Sequence, residues 1–159
     1  MARRSGGRSF FSLPTLLASF FGAAMIAGAF AYFNYKFSEY KFINFKEWVF
    51  YEKSDIFKPA DKRYLIVFYS SKDKQTLQKL LHVKTKTKIV AIDYYNTIQE
   101  NTKYITFIRS GTNTALKFIQ RFNIYECPSI FIIKKYKGYL YKQDSMIRKL
   151  DDLDMLIEE

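Results

Sequence analysis

Hydrophobic and polar positions divide the chain into three stretches: a long uncharged run, a segment mixing aromatic residues with lysines, and short apolar blocks separated by polar turns. The first runs from Ser9 to Phe33 without a charged side chain. A helix rising about 1.5 Å per residue needs roughly 20 such residues to cross the hydrocarbon core of a bilayer. A transmembrane helix is therefore predicted over 9–33, preceded by a short N-terminus at 1–8. Pro14 falls early enough for its missing N–H to be tolerated. Gly22, Ala23, Ala24, Ala27 and Gly28 offer a small-residue surface to another helix. The alternative is a cleaved signal peptide with Ala29-Phe-Ala31 as its processing site. The run is longer than the roughly 7–15 residues of a typical signal core, and large aromatics cross the cleavage zone, so an uncleaved signal anchor is expected.

Residues 34–62 carry Tyr35, Phe37, Tyr40, Phe42, Phe45, Trp48, Phe50 and Tyr51 among lysines. Near a bilayer such residues form a belt, rings at headgroup level and ammonium groups in water. Lys46-Glu-Trp-Val-Phe-Tyr51 is a candidate first strand, Trp48 a candidate partner-docking residue, and Pro59 marks a loop.

From Arg63 onward the blocks read as one α/β unit. Tyr64–Tyr69 is a continuous apolar run, the pattern of a strand buried on both faces. Ser70 and Ser71 are N-cap candidates, with Asp73 in the first turn. Leu77, Leu80 and Leu81 recur at helical spacing through about His82. Thr87–Asp93 is a second strand, which completes a parallel strand–helix–strand unit. Tyr104–Ile108 is a candidate extra strand. A helix follows at about Ala115–Phe122, capped by Thr112 or Thr114, with Leu116, Ile119 and Phe122 on its apolar stripe. Ser129–Ile133, a turn at Lys137-Gly138, and Tyr139–Tyr141 read as a hairpin. An amphipathic helix near Ile147–Ile157 ends the chain.

Charge adds orientation and removes some classes of partner. Arg3, Arg4 and Arg8 precede the apolar run and favour a cytoplasmic N-terminus, although Lys36, Lys41 and Lys46 follow it. The expected topology is single-pass, N-terminus in, with the C-terminal domain periplasmic at a bacterial inner membrane. The net charge of +11 is spread over scattered lysines without an Arg-rich run. No nucleic-acid partner is expected, and contact with anionic lipid headgroups is a secondary effect. Abundant Lys, Ile, Phe, Tyr and Asn match what A/T-biased codon usage produces. One cysteine cannot form an intramolecular disulfide, and one histidine without clustered ligands gives no metal site. Neither a Gly-rich phosphate loop nor a nucleophile elbow is present, so no cofactor, small-molecule substrate or catalytic residue is expected.

Three local segments carry a resemblance. Leu65-Ile-Val-Phe-Tyr69 resembles the strand that delivers the active-site loop of the thioredoxin superfamily, and Val90-Ala-Ile-Asp93 resembles its V-x-x-D strand. Phe122-Asn-Ile-Tyr-Glu-Cys-Pro-Ser-Ile-Phe131 resembles the segment holding the family's cis-proline, with Lys137-Gly138 as its hairpin turn. The resemblance spans about residues 46–159. It implies a thioredoxin-like α/β fold at 63–159, a central mixed sheet with flanking helices, preceded by one N-terminal transmembrane helix. The family places Cys-x-x-Cys at the start of the first long helix; Ser70-Ser-Lys-Asp-Lys-Gln-Thr76 stands there instead. A serine hydroxyl does not attack disulfides near neutral pH. The stretch 94–112 is a further departure, longer than in a minimal thioredoxin.

What the resemblance implies for function is a retained binding surface without the reaction centre. Its candidate residues are Tyr125, Glu126, Cys127, Pro128 and Ser129, with Ser70 and Ser71 opposite, where an extended peptide pairs by strand addition. The expected role is accessory, scaffold or assembly/chaperone factor for a membrane or envelope complex. The alternative is a monothiol factor that forms a mixed disulfide through Cys127. Free cysteines are often buried fillers, and that is the structural expectation for Cys127. His82, at a helix end, is expected to be structural.

Overall fold

The uncharged run folds as one long helix, α1 (Leu13–Glu39), in a computed structural model that describes residues 12–39 and 41–152. Leu13–Phe37 is 25 residues long and contains an 18-residue window of mean hydropathy 1.8, long and apolar enough to cross a membrane. Its large side chains, Leu16, Phe20, Met25 and Phe30 among them, are exposed. The helix continues past Phe33, so Tyr35 and Phe37 belong to it. Residues 9–11 of the expected span lie outside the described residues. The chain separates into two units between Glu39 and Tyr40.

The second unit is a mixed α/β structure built on a curled sheet. Its elements are β1 (Phe42–Asn44), β2 (Phe50–Glu52), β3 (Asp55–Ile56), β4 (Arg63–Tyr69), α2 (Lys74–His82), β5 (Ile89–Asp93) and β6 (Ile105–Ser110). Then follow α3 (Thr112–Phe122), β7 (Ser129–Lys137), β8 (Leu140–Gln143), β9 (Arg148–Lys149) and a 3-10 turn at Leu150–Asp152. The strand order is β1-β8-β7-β4-β5-β6-β2-β3, with β9 on the free edge of β7. Strands β4, β5 and β6 are parallel; β7 runs antiparallel to β4 and β2 antiparallel to β6.

Continuous apolar runs become the central strands because both sheet faces are covered. In β4, Tyr64, Ile66 and Phe68 join Phe118 and Phe122 of α3 in one core cluster. The intervening Leu65, Val67 and Tyr69 join Leu80 of α2 in the other. The two-residue period of a strand thus places alternate side chains under different helices. Each fully buried Ile, Leu or Phe contributes about 1.5–3 kcal/mol.

Several elements differ from the sequence expectations. Lys46–Tyr51 is not one strand. Asn44 accepts the Lys46 N–H on its side chain and the Glu47 and Trp48 N–H groups on its carbonyl, which folds 45–48 into a turn. That turn separates β1 and β2, which lie toward opposite edges of the sheet. Residues 105–110 form β6, reached from β5 without a helix. The apolar stripe of α3 is Ala115, Phe118 and Phe122, whereas Leu116 is 48% exposed. Gly111 rather than a threonine stands at its N-cap, and Asn123 closes it in the left-handed region. Arg148 and Lys149 pair with Ile130 and Ser129 as a strand instead of starting a helix. They occupy the edge of β7 beyond the end of β8. Residues 153–157 of the expected helix lie outside the described residues.

Candidate functional site

The loops that follow β4 and β5 meet the turn that precedes β7. Asp93 is the fastening point. Its side chain is buried, and its carboxylate accepts the backbone N–H groups of Ser71 at 2.9 Å, Tyr95 at 3.1 Å and Thr97 at 2.7 Å. Hydrogen bonds to an ionised acceptor are short and strong. One carboxylate therefore ties the loop after β4 to the loop after β5. Ser71 Oγ shares a hydrogen bond with Thr97 Oγ1 at 2.8 Å and reinforces the tie.

The two serines do not cap α2. Asp73 does, accepting the N–H groups of Gln75 and Thr76 and the Thr76 hydroxyl. Those bonds, the Thr76 hydroxyl first, hold its carboxyl below the usual carboxylate range. Ser70 and Ser71 instead belong to the loop just before it. Thr76 is itself buried, so the first turn of α2 is fixed against the sheet.

Across from this loop the Cys127–Pro128 peptide bond is cis. Cys127 is exposed, contrary to the expectation of a core filler. Although the residue is open to solvent, its sulfur turns inward and donates weakly to the Phe68 carbonyl at 3.7 Å. Burial of the sulfur, with the charges of Asp93 and Asp73 beside it, pushes the thiol up to about 11. A thiol so raised carries very little thiolate at neutral pH, and the thiolate is the nucleophile.

Cys127 separates two hollows of about 300 Å³ each. The first is mainly apolar, walled by Phe68, Tyr94, Tyr95, Ile119, Ile124 and Tyr125, with Ser70 and Glu126 at its margin. The second is polar, lying between Asp73 and Lys79 of the α2 side and Lys149 of β9 with Asp151 of the turn that follows it. Glu126 pairs with Lys149 at 2.9 Å on this surface.

Five of the sequence-derived candidates meet here: Ser70, Tyr125, Glu126, Cys127 and Pro128. Ser71 lies behind, committed to Asp93 and Thr97. Ser129 is buried and donates its hydroxyl to the Glu126 carbonyl at 2.6 Å, so it serves the turn. Trp48 is absent from both walls; it packs against the core beneath the guanidinium of Arg121, 5.3 Å from the ring centroid. His82 binds the Gln78 carbonyl through Nδ1 at 2.7 Å, at the end of α2.

Tyr94 and Tyr95 were not among the candidates. They stand at the C-terminal end of parallel strand β5, 46% and 47% exposed, with their rings edge to face at 5.0 Å. Lys72 lies over the Tyr95 ring at 4.0 Å. Their sequence signal is an adjacent aromatic pair directly after an apolar strand ending in Asp. Among the described residues no group of three or more His, Cys, Asp or Glu side chains is arranged to hold a metal.

No protein-family model, no curated protein and no solved structure matches the chain.

Proposed function

We propose that this is a membrane-anchored, thioredoxin-like binding protein that lacks catalytic residues. It serves as an accessory, scaffold or assembly factor for a membrane or envelope complex. The partner offers an extended apolar or aromatic segment, which lies in the hollow walled by Tyr94, Tyr95 and Tyr125. The central order β8-β7-β4-β5, with α2 and α3 on opposite faces, supports the thioredoxin-like part of this proposal. A single-pass arrangement with the second unit in the periplasm follows from reading α1 as the anchor and Arg3, Arg4 and Arg8 before it as cytoplasmic.

The observation that carries the binding role is the 89% exposure of Tyr125 at the rim of an apolar hollow beside exposed Tyr94 and Tyr95. Large exposed aromatics around a concave apolar site are the residue types that dominate binding hot spots. A photo-crosslinking amino acid at position 125 tests this in native membranes. Formation of a discrete adduct that is lost on adding Tyr95→Ala supports the hollow as a docking site. Absence of any adduct at 125, with the protein present at its normal level, removes it.

The exposure of Cys127 favours a second role, a monothiol that captures a partner's cysteine. The raised thiol weighs against it, because about 11 lies far from neutral pH. Cys127→Ser separates the two: unchanged cellular function leaves the binding role alone, and loss of function in a folded variant establishes the thiol. Alkylation at pH 7.5 is expected to be about two orders of magnitude slower than for an ordinary thiol.

A further inference from the structure

The loop between α2 and β5 carries the alternating run Lys84-Thr-Lys-Thr-Lys88. Thr85 is buried, and its Oγ1 accepts the Thr87 N–H at 3.1 Å, which fixes the loop from inside. Lys84, Lys86 and Lys88 are left exposed. Lys88 pairs with Asp61 at 3.0 Å and so ties the loop to the turn that carries exposed Lys62. The Ile89 N–H donates to the Tyr104 carbonyl at 2.9 Å, which brings exposed Lys103 to the same end of the sheet. That end is where the parallel strands β4, β5 and β6 begin, whereas Ser70 and Tyr94 of the Cys127 region follow the far ends of β4 and β5.

Acids at this end answer only part of the charge. Asp61 is taken by Lys88. Glu52 accepts the Asn101 side-chain amide at 2.5 Å and acts on Lys88 as well. Glu100 is exposed three residues before Lys103. Lys62, Lys84, Lys86 and Lys103 form no ion pair among the described residues, so four ammonium groups face one uncommitted carboxylate. A fixed loop that holds like charges together suits a ligand of opposite charge. The chemistry of the patch narrows that ligand. All four cations are lysines, point charges on flexible stems rather than the planar forks that grip phosphate in two places. The ring among them, Tyr104, is half-buried with the Lys103 ammonium over it at 5.4 Å, so it does not offer an open face for stacking a base. Mobile point charges match carboxylates spaced along a flexible chain.

We propose that the patch of Lys62, Lys84, Lys86 and Lys103 docks an acidic polypeptide segment, a flexible stretch of a partner chain rich in aspartate or glutamate. This surface is separate from the hollow beside Cys127, and the proposal does not depend on that hollow. An exposed lysine–carboxylate pair strengthens association by up to about fivefold. Several together give a weak, salt-sensitive attachment that speeds encounter with the partner.

The test uses the full chain in neutral detergent micelles and a fluorescent peptide of alternating glutamate and serine, with the glutamine–serine peptide as its uncharged control. Anisotropy should show binding of the acidic peptide alone, weakening at least about tenfold between about 50 and 300 mM salt. Lys84→Glu/Lys86→Glu is expected to weaken it at least about fivefold. Lys74→Glu/Lys117→Glu, on α2 and α3, should leave it within about twofold. Carbodiimide joins a peptide carboxylate to the lysine that meets it, and mass spectrometry of the wild-type protein should place the adducts chiefly on Lys62, Lys84, Lys86 and Lys103. That map needs no variant, so it decides the matter even where a charge reversal impairs folding. Equal weakening by the two double variants would overturn the proposal, as would adducts spread evenly over the exposed lysines. Tighter binding of oligothymidylate, with the same dependence on residues 84 and 86, would overturn it in favour of a nucleic acid.

Discussion

The Asp93 carboxylate at the end of β5 accepts the Ser71 N–H at 2.9 Å across 22 residues of chain, and this bond sets the position of the loop facing Cys127. Asp93 also holds Tyr95 and Thr97. Asp93→Ala leaves three backbone donors without their acceptor. It is expected to destabilise the second unit by about 2–4 kcal/mol, since hydrogen bonds to charged groups are worth about 1.5–3 kcal/mol each and do not add fully. Asp93→Asn retains one acceptor oxygen but turns an NH2 toward a donor, so it should lie between Ala and wild type. Urea unfolding measures both, and an Asp93→Ala protein as stable as wild type would remove the fastening role.

Phe118 sits among four rings, with centroids 6.0 Å from Phe50, 5.9 Å from Phe68, 4.9 Å from Phe122 and 6.1 Å from Phe131. Removing a fully buried phenylalanine side chain typically costs about 3–5 kcal/mol. Phe118→Ala should therefore lower the stability of the second unit by about 3–5 kcal/mol in urea unfolding. Leu116→Ala, two residues away on the exposed side, should change stability by less than about 0.5 kcal/mol. Equal effects would mean that α3 is rotated relative to the sheet.

Alkaline pH acts on three groups that the fold keeps protonated. The Cys127 thiol is pushed from 9.0 to about 11, chiefly by burial, and the Tyr141 phenol from 10.0 to about 12, also chiefly by burial. Burial, with Asp93, raises Tyr69 as well. Folded values above unfolded ones mean that the unfolded chain releases its protons first. The associated stability is complete below the unfolded values and is lost as pH rises through the folded ones. Chemical unfolding followed from pH 8 upward should show a decline beginning near 9. Cys127→Ser should flatten its first part and Tyr141→Phe its later part. A flat profile to pH 11 would contradict the burial of these groups.

At the acid end the cap of α2 behaves oppositely. The Asp73 carboxyl is held below its ordinary value by Thr76 first and by the Gln75 N–H and Lys79 among lesser causes. Its contribution is present above the unfolded value and is lost as pH falls through the folded one. Asp73→Ala should lower the melting temperature at pH 7 and show a shallower loss of stability between pH 5 and 3. Ser70→Ala should do neither, because its side chain caps nothing. Matching profiles for the two variants would return the cap to the serines.

How much of this was legible in the chain depended on element length. Tyr64–Tyr69, Ile89–Asp93 and Ser129–Ile133 announce themselves because burial on both faces demands unbroken apolar residues. Strands β1, β2 and β9, of three, three and two residues, are too short to carry a period. Their pairing is decided by tertiary neighbours such as Tyr141 and Ser110. On α3 both stripes are apolar enough to serve, and the larger Phe118 ring wins the core from Leu116. The Cys-Pro turn was readable from its dipeptide and its place before an apolar strand. Tyr94 and Tyr95 lie in a segment without periodicity, where only the fold brings them to the same hollow as Tyr125.

Tyr125 tests the function of that hollow with little structural confusion. It is 89% exposed, so its truncation removes almost no packing. Tyr125→Ala should leave the melting temperature within a degree or so of wild type, as expected for an exposed surface substitution. An aromatic anchor at a binding site is worth about 2 kcal/mol or more, so partner association should weaken by at least about tenfold. Tyr95→Ala should act in the same direction, and the double variant should lose less than the sum if both rings hold one segment of the partner. Co-purification of a crosslinked partner, quantified across the three variants, supplies the measurement. Wild-type recovery in all three would place the partner surface elsewhere on the protein.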